Sequence, residues 1–88
     1  MELIKIVKEV KFYQYHDGIY LWEIEVEKND ESCDFWLTCK NYGDKTFMFG
    51  VDPDVSEDII ISLIEGNIEE EISYFKDIYK VGAWYGKV

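Results

Sequence analysis

The stretch Phe49-Gly-Val-Asp-Pro-Asp-Val-Ser-Glu-Asp-Ile-Ile-Ile-Ser-Leu-Ile64 decides the fold, because the hydrophobic period changes inside it. Up to Val51 apolar residues recur at every second position, the repeat of a strand with one covered face. Beyond Pro53 they recur at Val55, Ile59, Ile60, Leu63 and Ile64, the broad stripe of a helix. Asp54 is placed to cap that helix, with Glu57 at the reciprocal position. A sheet followed by helices is the architecture this predicts.

Toward the C-terminus, Gly66-Asn67 interrupts the stripe, so the spacing predicts two helices, about 55–65 and 68–81. Asn67 caps the second, Glu69, Glu70 and Glu71 suit its first turn, Lys76 and Lys80 its last, and Gly82 its exit. Ile68, Ile72, Phe75 and Tyr79 form its buried line. The tail Ala83–Val88 offers an edge strand or a cover for the sheet.

Toward the N-terminus, alternation predicts strands at 45–51, 33–40, 19–27 and 3–15. Phe47, Phe49 and Val51 share one parity, with Thr46 and Met48 opposite. Cys33, Phe35, Leu37 and Cys39 alternate with Asp34, Trp36, Thr38 and Lys40. Tyr20, Trp22, Ile24 and Val26 alternate with Leu21, Glu23, Glu25 and Glu27. For the first hairpin, a three-residue loop His16-Asp17-Gly18 pairs Phe12 with Trp22 and Val10 with Ile24, core on core. A two-residue Asp17-Gly18 turn would instead set Phe12 and Val10 against glutamates. The expected fold is therefore α+β: an antiparallel meander of four strands, five with the tail, and two C-terminal helices packed on one face, in a single domain of residues 1–88.

Composition narrows the function classes. The chain has 88 residues, is 48% hydrophobic and 32% charged, and carries a formal net charge of -10, all nine of its basic residues being lysine. That is too apolar for a disordered acidic tail and too interrupted by charge for a membrane span. Arginine is the side chain that forks onto phosphate, so its absence, with a net negative field, argues against direct binding of nucleic acid or of an anionic membrane. Cys33 and Cys39 lie roughly 20 Å apart along one strand face, too far for a disulfide. Free thiols, with no signal-peptide pattern over Met1–Val10, make the cytoplasm the expected location, a host cell's for a phage protein.

No constellation for catalysis emerges, and an enzyme is not expected. His16 sits at a hairpin tip without a nearby hydroxyl, and Cys33 and Cys39 share parity with core residues. Asp52, Asp54, Ser56 and Asp58 imitate the opening of a calcium loop, but Glu57 stands where glycine is needed and Leu63 where the closing acid belongs. The glycine spacing fits no phosphate loop. No cofactor or metal is therefore expected. Tyr13, Tyr15, Leu21 and Trp36 are expected on the sheet face opposite the core, as anchors for a protein partner or under the tail.

The acids are the informative residues. Between Asp52 and Glu71 there are eight acids and no base. Glu23, Glu25 and Glu27 line one strand face at about 6.6 Å intervals, approaching the spacing of successive phosphates on a nucleic-acid strand. Such rows suit the lysine- and arginine-lined groove of a nuclease. In size, acidity and α+β character over its whole length, without a diagnostic motif, the chain resembles small phage proteins that inhibit host restriction or CRISPR nucleases. It also resembles bacterial immunity proteins that neutralise nuclease toxins. No site residues transfer from either.

The expected function is a non-catalytic binding protein that engages and inhibits a basic nucleic-acid-handling protein, as a nucleic-acid mimic. The expected contacts are Glu23, Glu25, Glu27, Asp52, Asp54, Glu57, Asp58, Glu69, Glu70 and Glu71, with Tyr13, Tyr15 and Trp36 as anchors. The alternatives are an immunity or antitoxin protein using the same surface against one toxin, and a structural protomer that buries Ile59, Ile60 and Ile61 against a second copy in a homodimer.

Overall fold

The computed structural model describes residues 9–40 and 42–79, Tyr42 and Gly43 by their backbone alone. Four strands, β1 (Glu9–His16), β2 (Leu21–Lys28), β3 (Cys33–Cys39) and β4 (Tyr42–Val51), form one antiparallel sheet in the order β1-β2-β3-β4, and one helix, α1 (Glu57–Tyr79), follows. The class is α+β. The chain divides into a β unit ending at Ser56 and a helical unit beginning at Glu57. The expected strand start at residues 3–8, the end of the second helix beyond Tyr79 and the tail strand at 83–88 lie outside the described residues. No helix among the described residues is long and apolar enough to cross a membrane.

The alternation in β2 and β3 builds the buried face of the sheet. Trp22, Ile24 and Val26 pair with Cys39, Leu37 and Phe35, and each of these six side chains is at most 2% exposed. Phe35 continues the layer into β4, its ring 4.6 Å from that of Phe49. Burial of a large apolar side chain is worth about 1.5–3 kcal/mol, so these central strands hold the sheet together.

The first hairpin corrects the expected register. His16 pairs with Leu21, leaving a four-residue loop Asp17–Tyr20, so Phe12 lies across from Glu25 and Val10 across from Glu27. The loop is built by Asp17. Its Oδ1 accepts the N–H groups of Ile19 at 2.9 Å and Tyr20 at 2.7 Å, its own N–H reaches the Tyr20 carbonyl at 3.1 Å, and Gly18 takes φ +99°. Its Oδ2 accepts the indole N–H of the fully buried Trp22 at 2.9 Å. One carboxylate thereby closes the loop and satisfies a core donor. The strand faces follow: Tyr13 and Tyr15 sit across from Ile24 and Trp22 on the buried side, while Val10 and Phe12 join the glutamates on the open side.

The parity of β4 also changes along its length. Phe49 pairs with Phe35 but Phe47 pairs with Trp36, leaving Met48 as the extra residue of a bulge. Phe47, expected in the core, is therefore on the open face and 49% exposed.

The helical unit is one 23-residue helix, not two. Gly66 and Asn67 stay inside it because the buried residues Ile60, Ile64, Ile68 and Ile72 keep a strict four-residue phase across them. A single interior glycine costs a helix only about 1 kcal/mol. Asn67 does not cap; its Nδ2 donates to the Leu63 carbonyl at 2.8 Å. The helix also begins later than expected. Asp52 accepts the Asp54 N–H on Oδ1 at 2.9 Å and the Val55 N–H on its carbonyl at 3.2 Å, and this turn consumes the residues expected to open the helix. Ser56 is left in the preceding position, a favoured one for its type.

Candidate functional site

Two groups of the acids each share a surface, one group in each unit. On the open face of the sheet, β2 projects Glu23, Glu25 and Glu27 as its alternation dictates, with Asp34 from β3 beside them. Two of the three glutamates are not displayed freely. Lys45 of β4 reaches over β3, its Nζ 2.9 Å from Glu25 Oε2 and 3.7 Å from Glu27 Oε1, and those carboxylate side chains are only 18% and 13% exposed. On the way, Nζ passes 4.8 Å from the centroid of the Trp36 ring. The hydrogen bond to Glu25, set against partial desolvation, holds the ammonium above its ordinary lysine range.

Aromatic residues frame this arrangement. Phe12, Glu25, Trp36 and Phe47 occupy one rung across all four strands. Trp36 and Phe47 meet edge to face at 5.3 Å, and Phe12 is 58% exposed. Of the four residues expected on this face, Leu21 and Trp36 are on it. Tyr13 and Tyr15 are on the other, displaced by the hairpin register, and Phe12, Val10 and Phe47 take their place. Asp34 accepts the Ser32 hydroxyl at 3.0 Å, and Gly50 sits opposite, where a Cβ would lie 2.9 Å from Asp34 Oδ1.

On the helix, Asp58, Glu65 and Glu69 are exposed and spaced seven and four residues apart, which places them along one stripe, about 10 Å and then 6 Å between successive positions. Glu70 is exposed about 100° further round the helix, off that stripe. None of these four has an ion-pair partner among the described residues. Glu57 and Asp58 occupy the first turn and Lys76 the last, the arrangement the helix dipole favours. Glu71 is different: it falls toward the sector of Ile64 and Phe75, and desolvation, then the charge of Glu70, pushes its carboxyl up. Asp52 and Asp54 lie exposed in the turn that follows β4, within the β unit.

The other candidates resolve into structure. His16 Nδ1 accepts the Gly18 N–H at 3.1 Å, so that nitrogen belongs to the turn. Cys33 and Cys39 are buried thiols outside any disulfide, and burial, against a lowering by Lys28, raises the Cys33 thiol. Among the described residues no three His, Cys, Asp or Glu side chains converge as a metal site.

The reading from sequence missed Glu65 on the helix and Lys45, Phe12 and Phe47 on the sheet. Lys45 lies 20 positions from Glu25, and only the bulge and the four-residue loop bring these groups together. No protein-family model matches the chain, and neither a curated protein nor a solved structure matches it.

Proposed function

We propose that this chain is a non-catalytic binding protein whose acidic surface engages, and inhibits, a basic protein that handles nucleic acid, acting as a nucleic-acid mimic. The observation that carries this reading is the stripe Asp58, Glu65 and Glu69 on α1, exposed and without ion-pair partners among the described residues. Carboxylates displayed on a regular helix keep fixed spacings, and the net charge of -10 adds long-range attraction for a basic groove. The weight moves from the sheet row to the helix, since Lys45 already occupies Glu25 and Glu27. Glu57, Glu70, Asp52 and Asp54 extend the exposed set.

The test is affinity capture from a cell lysate at two salt concentrations, followed by elution with DNA or RNA. A basic nucleic-acid-binding protein held at low salt, released by either polymer and lost by a D58K/E65K/E69K variant supports the proposal. Capture indifferent to salt and to that variant refutes it.

A second reading rests on a separate observation. Ile59, Tyr74 and Ile78 of α1 are 50%, 62% and 49% exposed, more apolar surface than a solvated helix needs. This favours a structural homodimer, and a salt-independent dimer in sedimentation at low micromolar concentration would support it.

A further inference from the structure

We infer that the open face of the sheet is a seat for a cationic side chain of a protein partner, an arginine foremost, and that Lys45 is its internal occupant. The inference rests on the reading of a basic partner given above and names a place on the β unit where one of its side chains docks.

The walls of the seat are those that bind cations elsewhere. Glu25 and Glu27 supply negative charge, the Trp36 ring supplies a π face, and Phe12 and Phe47 flank it in the same rung, more than half and about half exposed. An ammonium or guanidinium over an aromatic face within about 6 Å is attracted by the ring quadrupole. Lys45 demonstrates the fit, at 4.8 Å from the ring centroid and 2.9 Å from Glu25.

Lys45 is a weak occupant. Its side chain is 44% exposed, and an exposed ion pair held by a long flexible stem contributes little net stability. A guanidinium stacks better on the indole and takes a carboxylate with two parallel hydrogen bonds, which an ammonium does not. The chain has no arginine, so it contains no better occupant than lysine. Exposed phenylalanines beside half-buried carboxylates complete the pattern of a docking surface: Phe12 and Phe47 offer apolar contact for the aliphatic stem of the incoming residue.

The experiment is a titration with a tetra-arginine peptide, followed by the indole N–H resonance of Trp36, assigned with W36F. That N–H is buried and lacks an acceptor among the described residues, so it reports from the middle of the rung. The expected result is a saturable shift in the wild type, roughly fivefold tighter binding in K45M, from removal of two exposed ion pairs and one cation–π contact, and weaker binding in E25Q. K45Q repeats the test in case K45M folds poorly, and K40M makes the same charge change elsewhere. No shift at Trp36, or equal tightening in K45M and K40M, overturns the inference. The D58K/E65K/E69K variant separates the two proposals. If it loses the captured basic protein while the peptide still shifts Trp36 in the expected order, both stand. If the peptide response follows α1 and ignores Lys45, the seat falls and the reading of a basic partner remains. If Trp36 responds as expected but no basic protein is captured, the seat remains and that reading falls.

Discussion

Asp17 does the work of several residues, and its loss should be correspondingly costly. Its two oxygens accept two loop N–H groups and the indole N–H of a tryptophan with no solvent exposure. Replacing it with alanine leaves that buried donor orphaned, which costs about 1–3 kcal/mol. We expect Asp17→Ala to lower stability by about 2 kcal/mol in urea denaturation, with Asp17→Asn between it and the wild type. An Asp17→Ala midpoint equal to the wild type would show that the loop holds without its carboxylate. Glu71 predicts the opposite sign. Its folded carboxyl holds its proton more tightly than the unfolded chain does, so the stability linked to that proton is present at low pH and lost as pH rises through the folded value. At neutral pH the charge is a burden. Glu71→Gln should therefore stabilise at pH 7 by up to about 0.5 kcal/mol, the usual ceiling for a partly solvated site, and the gap should close near pH 4. The thiols give a third check: with Cys33 and Cys39 buried and the Cys33 thiol raised, both should resist iodoacetamide in the native protein and react on unfolding.

Among the elements, what could be read in advance was whatever local period alone determines. The parity of β2 and β3 follows from Trp22, Ile24 and Val26 and from Cys33, Phe35, Leu37 and Cys39, because central strands covered on one face show clean alternation. The first hairpin was not legible, since Asp17 and Gly18 suit loops of two, three or four residues and the choice is made by the Asp17 carboxylate meeting the Trp22 indole. The bulge at Met48 has no local signature. Helix α1 was divided because glycine and asparagine look like punctuation, whereas the four-residue phase of its buried isoleucines carries the helix through. This makes Gly66 a test. A Cβ there meets nothing within 4 Å, and its φ is not in the left-handed region. Gly66→Ala should thus stabilise by about 0.5–1 kcal/mol, read as a higher thermal midpoint. A lower midpoint would mean that the helix is bent or interrupted at that point.

At the scale of the molecule, Asp58 and Glu69 stood out as acids in the sequence, but the stripe they form with Glu65 did not, because it needs the unbroken helix that the expected break at Gly66-Asn67 divides. Nor did the seat around Trp36, because it joins β1, β2, β3 and β4 through register and bulge. Both surfaces sit within one excess of negative charge, and that excess has a consequence of its own. With 19 acids against nine lysines, most pairs of charges repel, and the folded state crowds them more than the unfolded chain does. Salt shortens the Debye length from about 30 Å at 0.01 M to about 8 Å at 0.15 M, which screens the many distant repulsions more than the close Lys45–Glu25 contact. The urea midpoint should therefore rise between these two salt concentrations at pH 7, and rise less near pH 4, where protonation has already removed part of the charge. K45M, which deletes an attraction and deepens the imbalance, should gain more from salt than the wild type. A midpoint that instead falls with salt would mean that short-range pairs govern the molecule's electrostatics, leaving no surplus of unpaired acid for a basic partner to find.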